Sequence, residues 1–430
     1  MTNQPILIIG SGGREHALAW SLARSTHVSQ IWVAPGNGGM NWSAASGVAA
    51  CQSVPIKAHE IEKLIDFAIM QGVSLVIVGP EQPLADGIVD RFQAAGLPIF
   101  GPSQAAAQLE SSKAFAKTFM VTHGIPTAEY ACFEDIHQAR EWLHAFGRPV
   151  VVKADGLAAG KGVLVCDTVE EADAALRLIL EDRQFGAAGK RVVIEERLSG
   201  KEFSVLAFSD GKTIAPMVVA RDHKRALDGD LGLNTGGMGA IAPAPDITPA
   251  QIEQACREIF QPTLEGMAAQ GAPYVGVLYT GLMQTADGMK VLEFNCRFGD
   301  PETQVILPLL ETDLYKVLLA CVQGHLHEIK LCWKAANCAT VVLASGGYPG
   351  NYAVGLPIAG LDAIGDDVMV FHAGTALESG QLVTAGGRVL AVTALGPTLD
   401  AALQKSYAAI DRIHFEGMHF RRDIGRGVEI

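Results

Sequence analysis

Short apolar runs, each ending in a glycine-rich turn, recur along the chain and predict its elements. Ile6-Leu7-Ile8-Ile9 runs into Gly10-Ser11-Gly12-Gly13 and then into the apolar stretch Ala17-Leu18-Ala19-Trp20-Ser21-Leu22-Ala23. A strand buried on both faces reads as a near-continuous apolar run, so this pattern predicts strand, tight turn and helix. That is the opening of a doubly wound α/β domain, which binds ligands at the carboxyl ends of its strands. Leu75-Val76-Ile77-Val78 predicts a second such strand, and Gly79-Pro80-Glu81 puts Glu81 on the same rim. Ile99-Phe100-Gly101-Pro102 closes the unit, giving a first domain over 1–102.

Further on, Pro149-Val150-Val151-Val152-Lys153 is a strand, followed by the loop Gly156-Leu157-Ala158-Ala159-Gly160-Lys161-Gly162-Val163. These lie in a compact unit over about 120–190, inside a second domain over 103–328. Arg191-Val192-Val193-Ile194-Glu195-Glu196-Arg197-Leu198 is a strand leading into a loop. Val277-Leu278-Tyr279-Thr280-Gly281-Leu282-Met283 pairs with the strand through Glu293, about an Asp287-Gly288 hairpin. In that second strand Val291 and Glu293 should alternate against Leu292 and Phe294, which sets Glu293 and Asn295 on one face. Residues 329–430 read as a separate small α/β unit. Its strands are Ala339-Thr340-Val341-Val342-Leu343-Ala344 and Val368-Met369-Val370-Phe371, with a hairpin of 382–384 and 388–392 about Gly386-Gly387 and a helix over 399–413.

At 430 residues the chain exceeds one ordinary core, which fits this division. Its 46 acidic against 33 basic residues give a net charge of -13, opposing non-specific nucleic-acid binding. The N-terminus has no basic flank ahead of its first strand, and no apolar run approaches the roughly 18 residues of a membrane span. A soluble protein without an export signal is expected. The eight cysteines show no Cys-x-x-Cys pair, so reduced thiols are expected rather than zinc or disulfides.

The glycine-rich turn after the first strand is not a dinucleotide fingerprint, because Glu15 stands where a third glycine is required. Backbone amides at a helix start still suit a phosphate monoester. Nor is 156–163 a P-loop: three residues separate Gly156 from Gly160-Lys161, and Gly162 replaces the Ser or Thr. Small residues there let backbone approach phosphate, and Lys153, on an otherwise apolar strand, has to point somewhere polar. Glu293 and Asn295 place two oxygen donors side by side, as a Mg²⁺ that keeps phosphate and water ligands requires. Other signals are bland. Lys113 and Lys117 at i, i+4 read as a solvated face, the cluster 220–225 as a solvated loop, and His325-Leu326-His327-Glu328 as an exposed turn.

The run Arg297-Phe298-Gly299-Asp300-Pro301-Glu302-Thr303-Gln304, preceded by Glu293-Phe294-Asn295, resembles the signature of the glycinamide ribonucleotide synthetases (phosphoribosylamine-glycine ligases), ATP-grasp enzymes of purine biosynthesis. The likeness recurs in family order at Gly10-Ser11-Gly12-Gly13-Arg14-Glu15-His16, at Gly79-Pro80-Glu81, at 153–163 and at Asn234-Thr235-Gly236-Gly237-Met238-Gly239. It implies a pre-ATP-grasp domain, an ATP-grasp domain with a lid, and a small C-terminal α/β domain. The substrates implied are ATP, glycine and 5-phosphoribosylamine, with Mg²⁺ or Mn²⁺, in a cytoplasmic enzyme expected to be a monomer, a weak dimer being the alternative.

The resemblance also assigns residues. Glu293 and Asn295 would hold the metal. Lys113 and Lys153 would reach phosphate, with Lys161 in the loop that covers it. Glu195, Glu196 and Leu198 would pass the adenine edge, and Glu202 would take the ribose. Arg297, Lys153 and Asp222 would serve the chemistry, with Arg221 or Asp222 near glycine. Gly10, Gly12, Gly13, Arg14, Asn37 and Glu81 would hold the phosphoribosyl group, and Thr235, Gly236, Gly237, Met238 and Pro301 would complete the substrate loop. Phosphoryl transfer would turn the glycine carboxylate into an acyl phosphate for attack by the amine, under a lid that excludes water. The competing readings are a ligase for another amine, a biotin carboxylase, a nucleotide-binding dehydrogenase and a non-catalytic phosphosugar sensor. Cys296, inside the signature, reads as packing.

Overall fold

The computed structural model describes residues 4–158 and 162–426. Its first sheet is parallel, in the order Ala50–Ser53, Val28–Pro35, Gln4–Gly10, Leu75–Val78, Ile99–Phe100. The apolar run of the first strand is continuous because both its faces are covered. Ile6 and Ile8 enter one core with Leu18 and Leu22, while Leu7 and Ile9 enter another with Leu64 and Phe92. Each such side chain contributes about 2 kcal/mol by burial. Strand order reverses between the first strand and Leu75–Val78, so Gly10 and Gly79 sit at the switch point where such sheets bind ligands.

Two further sheets follow. The larger is antiparallel, in the order Ile214–Pro216, Lys201–Asp210, Val275–Thr285, Gly288–Asn295. The smaller runs Tyr130–Phe133, Val192–Glu196, Val150–Ala154, Val163–Cys166, and packs on helices Ile136–Phe146 and Val169–Leu176. Val192–Glu196 pairs on both sides within this small sheet. The compact unit therefore extends past the expected 190, because Val192, Val193 and Ile194 are fully buried there.

The Asp287-Gly288 hairpin forms, with Gly288 at φ +115°. The alternation expected for its second strand does not hold throughout. Gly281 pairs Glu293 while Leu282 pairs Val291, so Leu292 is a bulge residue. Val291 is consequently buried in the core with Phe294, and Leu292 and Glu293 both line the same cavity.

The last sheet has the order Arg221–Asp222, Gly239–Ala242, Asn337–Ala344, Arg388–Gly396, Val368–His372. Two of its strands come from the middle of the chain, so the C-terminal unit is not separate. The hairpin expected about Gly386-Gly387 is absent: Gln381–Thr384 pairs instead with Thr375–Glu378, across Ser379 and Gly380 at positive φ. Gly374 and Gly386 pack backbone on backbone there, and a Cβ on Gly374 would lie 2.6 Å from the Gly386 Cα. The final helix is shorter than expected, Leu399–Ile410.

All eight cysteines are free, and Cys296 is buried against the Ala106 and Ala107 carbonyls, as packing requires. Among the described residues, no helix is long and apolar enough to cross a membrane and no cluster of three or more acidic, His or Cys side chains has metal-binding geometry.

Candidate active site

A cavity of about 470 Å³ opens where the three units meet. Its walls come from both middle sheets, from helix Lys113–Thr122, and from Arg14, Glu81, Tyr348 and Arg388 of the outer domains.

One wall is cationic. Ser112 caps the helix by accepting from the Phe115 amide, which fixes the turn carrying Lys113 and Lys117. Lys117, expected to be solvated, is buried, with its ammonium 2.8 Å from Glu195 Oε2 and donating to Thr127 Oγ1 at 2.7 Å. Burial pushes its pKa down to about 8 against the pull of Glu195. Lys153 lies 2.8 Å from the other Glu195 oxygen and donates to the Leu292 carbonyl at 3.1 Å, which the bulge leaves free. Lys113 donates to the Gly156 carbonyl at 2.9 Å, tying helix to loop, and burial lowers its pKa too.

Glu293 and Asn295 line the same cavity. Burial would raise the pKa of Glu293, but Lys224, Lys153, Lys113 and Arg297 outweigh it and hold the group ionised below the usual carboxylate range. Arg297 donates to Asn295 Oδ1 at 3.3 Å, pairs with Glu110 at 3.1 Å, and has Nε 3.5 Å from Glu81. It thereby joins the metal-type pair to the rim of the first domain. The Glu110 carboxylate, in turn, accepts from the Cys296 amide at 2.6 Å.

The far end is built by the signature turn. Asp300 accepts from the Arg14 amide at 3.3 Å and from Gln304 at 2.9 Å, and pairs with Arg388 at 3.3 Å. Arg388 also donates to the carbonyls of Gly236 at 2.6 Å and Asp300 at 2.8 Å. Gly237 has φ +111°, and a Cβ there would collide with Pro301 Cδ, so this approach needs glycine. Glu302 is buried, and its pKa is raised to about 7 by burial and then by the Asp222 carboxylate.

Of the residues singled out from sequence, Arg14, Glu81, Lys113, Lys153, Glu195, Asp222, Thr235, Gly236, Glu293, Asn295 and Arg297 line this cavity. Others are not among its lining residues. Asn37 spends its amide on the carbonyls of Ser11 and His372, each at 2.8 Å, so it shapes the glycine turn of Gly10, Gly12 and Gly13. Glu202 pairs with Lys224. Glu196 faces Arg148 at 3.5 Å, Leu198 is half-buried, and Met238 and Pro301 are buried. Lys161 lies outside the described residues. Sequence reading missed Lys117, Glu110, Lys224, Tyr279, Tyr348 and Arg388 as cavity residues. Asp300 and Glu302 carried a signal, since both lie inside the signature run.

Comparison with known proteins agrees along the whole chain. The phosphoribosylglycinamide synthetase models match in order: the N domain over 4–110, the ATP-grasp (A) domain over 111–303 and the C domain over 338–427. A phosphoribosylamine-glycine ligase of Allochromatium vinosum is 52% identical over 98% of this chain and 97% of its own. A trifunctional purine biosynthetic protein of Gallus gallus is 53% identical over 98% of this chain and 42% of its own. The crystal structure of the phosphoribosylamine-glycine ligase of Thermotoga maritima superposes with a TM-score of 0.84 at 35% identity, covering 98% of this chain and 100% of that one. A biotin carboxylase domain from Hydrogenobacter thermophilus, solved with MgADP and bicarbonate, shares the fold at a TM-score of 0.70 and 16% identity, over 98% and 92% of the two chains. With three domain models in sequence and relatives above half identity over nearly its full length, the chain belongs to the phosphoribosylglycinamide synthetase family.

Proposed function

We infer that this protein joins glycine to 5-phosphoribosylamine, cleaving ATP to ADP and phosphate through an enzyme-bound glycyl phosphate. One observation carries the reading. Lys113, Lys117 and Lys153 line a single cavity with Glu293 and Asn295, Lys113 and Lys153 act directly on the Glu293 carboxylate, and the cavity also reaches the rim of the doubly wound domain. Among the described residues no side chain donates a hydrogen bond to the Glu293 carboxylate, and four cations hold it ionised. A buried anionic oxygen donor without a hydrogen-bond donor, beside an amide oxygen, fits a hard divalent cation such as Mg²⁺ or Mn²⁺ completed by phosphate oxygens. Bound there, the cation would neutralise charge on the transferring phosphoryl group.

The chain's own residues then divide the work. Lys113 and Lys153 hold ATP phosphates, with Glu195, Glu196, Leu198 and Glu202 toward the base and ribose. Arg297, fixed by Glu110, Glu81 and Asn295, lies between phosphate and acceptor, and stabilises charge on the phosphoryl group and the acyl phosphate. Asp222 faces the small zwitterion. Arg14 and Glu81, on the frame set by Gly10, Gly12, Gly13 and Asn37, hold the phosphoribosyl group against Thr235, Gly236, Gly237, Met238 and Pro301. Nucleophilic attack is made by substrate oxygens and amines, so no covalent enzyme intermediate is needed. Domain borders at about 102 and 328, the second crossed by the strands Arg221–Asp222 and Gly239–Ala242 of the last sheet, and a lid over about 120–190, extended to 196 by its sheet, suit this division. The free cysteines suit a cytoplasmic setting, and we read the enzyme as a monomer.

The test is ADP release with Mg-ATP, glycine and phosphoribosylamine formed in situ from ribose 5-phosphate and ammonia, each omitted in turn. Turnover should require all three and yield a product of glycinamide ribonucleotide mass. ADP release indifferent to glycine or to the phosphosugar would reject the substrate assignment, and bicarbonate dependence would favour a carboxylase.

A further inference from the structure

The excursion over 221–234 carries Asp222 and Lys224 into the cavity and then leaves it as a two-stranded ribbon, Arg225–Leu227 paired with Leu231–Asn234. Apolar packing does not hold this ribbon. Of residues 225–234 only Ala226 is buried, and Leu227, Leu231 and Leu233 are 48%, 64% and 67% exposed. A ribbon of two strands with its leucines in water is marginal by itself.

Its order comes instead from chain some 190 residues later. Arg421, with a side chain only 2% exposed, donates to the Arg225 carbonyl at 3.2 Å and pairs with Asp230 at 3.1 Å. It is held bidentately by Asp423, both bonds at 2.8 Å. Asp423 also accepts from the Gly229 amide at 2.8 Å, and Asp228 from the Arg422 amide at 2.7 Å. His419 meets the Ala226 carbonyl at 2.7 Å, and the Gly425 amide donates to His223 Nε2 at 3.1 Å. Tyr407 anchors the segment to the last helix, donating to the Arg421 carbonyl at 2.9 Å. The contacts grip the chain on both sides of the ribbon turn and at His223, between the two cavity residues.

We propose that the segment 419–426 is a clamp that positions Asp222 and Lys224 for the reaction, with Arg421 as its central positioning residue. The inference rests on the reading that these two side chains face the substrates. Among the described residues Arg421 makes no hydrogen bond or ion pair to a lining residue of the cavity; it acts through the ribbon backbone. A planar guanidinium suits the task because one fork reaches a carbonyl and two carboxylates at fixed angles, which an ammonium cannot match.

The test uses the full-length protein and first requires glycine- and phosphosugar-dependent turnover of the unaltered chain; absence of that would reject the functional reading and the clamp's role in it together. Given turnover, Arg421→Ala should lower kcat/KM for glycine by about tenfold or more, with a clearly smaller change in the Kd for Mg-ATP by calorimetry, because Lys113 and Lys153 are anchored by Gly156, Leu292 and Glu195 and not by the ribbon. Arg421→Lys should fall between. A folded Arg421→Ala protein with unaltered kcat/KM would overturn the proposal. So would an equal loss of Mg-ATP affinity, which would mark general loosening. Should Arg421→Ala not fold, the near-isosteric Asp423→Asn decides: the same glycine-selective loss supports the clamp, and unaltered kinetics overturn it.

Discussion

The ammonium of Lys153 stands 2.8 Å from Oε1 of Glu195, and both side chains are nearly sealed from water. Lys117 takes the other oxygen, so one carboxylate serves two buried cations. Removing one partner of a buried pair leaves uncompensated charge, which costs about 3–5 kcal/mol. Glu195→Ala should therefore lower unfolding stability by about that amount in urea. Saturating Mg-ADP should restore part of it, since phosphate would neutralise the stranded lysines. A variant as stable as the unaltered chain would show that the pair is not what settles these lysines.

Glu293→Gln keeps shape and removes charge where four cations converge. With one anionic donor lost, the divalent cation concentration for half-maximal turnover should rise, and kcat should fall about 100-fold. Titrating Mg²⁺ and Mn²⁺ in the ADP-release assay checks both. An unchanged metal dependence would move the metal away from Glu293.

Glu302 gives a pH signature to the ligand-free protein. Its pKa, raised from 4.5 to about 7 by burial and by Asp222, means that the folded state binds a proton the unfolded state releases. Stability from this group is complete below about pH 4.5 and is lost as pH rises through about 7. Arg297 and Lys224 favour the ionised form without reversing the sign. Between pH 5 and 7, one extra proton on the folded state makes the unfolding free energy fall by up to about 1.4 kcal/mol for each step of one in pH. Glu302→Gln should flatten that fall. Parallel urea titrations at several pH values would show whether the two curves converge at low pH, as required.

How much of this was legible follows from which contacts are local. The first sheet was readable because residues 6–9 and 75–78 are buried on both faces, which leaves unbroken apolar runs. Glu293 and Asn295 were readable because two residues on one strand share a face. The face of Val291 was not, because a bulge at Leu292 is a matter of register against Gly281 and Leu282 rather than of composition. Lys117 was read as solvated since i, i+4 spacing says nothing of the Glu195 that meets it from another sheet. The C-terminal unit read as separate because its borrowed strands, Arg221–Asp222 and Gly239–Ala242, are short and lie more than 90 residues upstream. Arg388 was missed for the same reason: it bonds Gly236 and Asp300 across 152 and 88 residues.

Arg388 is where the last domain enters the chemistry. Its guanidinium bonds the carbonyls of Gly236 and Asp300 and lies 3.3 Å from the Asp300 carboxylate, which itself receives the Arg14 amide. The substrate loop, the signature turn and the glycine-rich turn of the first domain thus share one side chain, which lines the cavity beside Tyr348. Arg388→Ala would free the Gly236 backbone and leave Asp300 with one fewer counter-charge; burial already works against its ionisation, and Arg388 is the strongest force opposing it. KM for phosphoribosylamine should rise by about tenfold or more, because a lost charge-assisted contact is worth roughly 1.5–3 kcal/mol. KM for ATP should stay unchanged, since Lys113 and Lys153 do not depend on this end. Arg388→Lys should recover little, because a single ammonium cannot hold two carbonyls and a carboxylate in the same plane. Initial rates with the phosphosugar varied at saturating ATP and glycine, and with ATP varied at saturating phosphosugar and glycine, separate these outcomes, and an equal rise in both KM values would count against a role confined to the acceptor end.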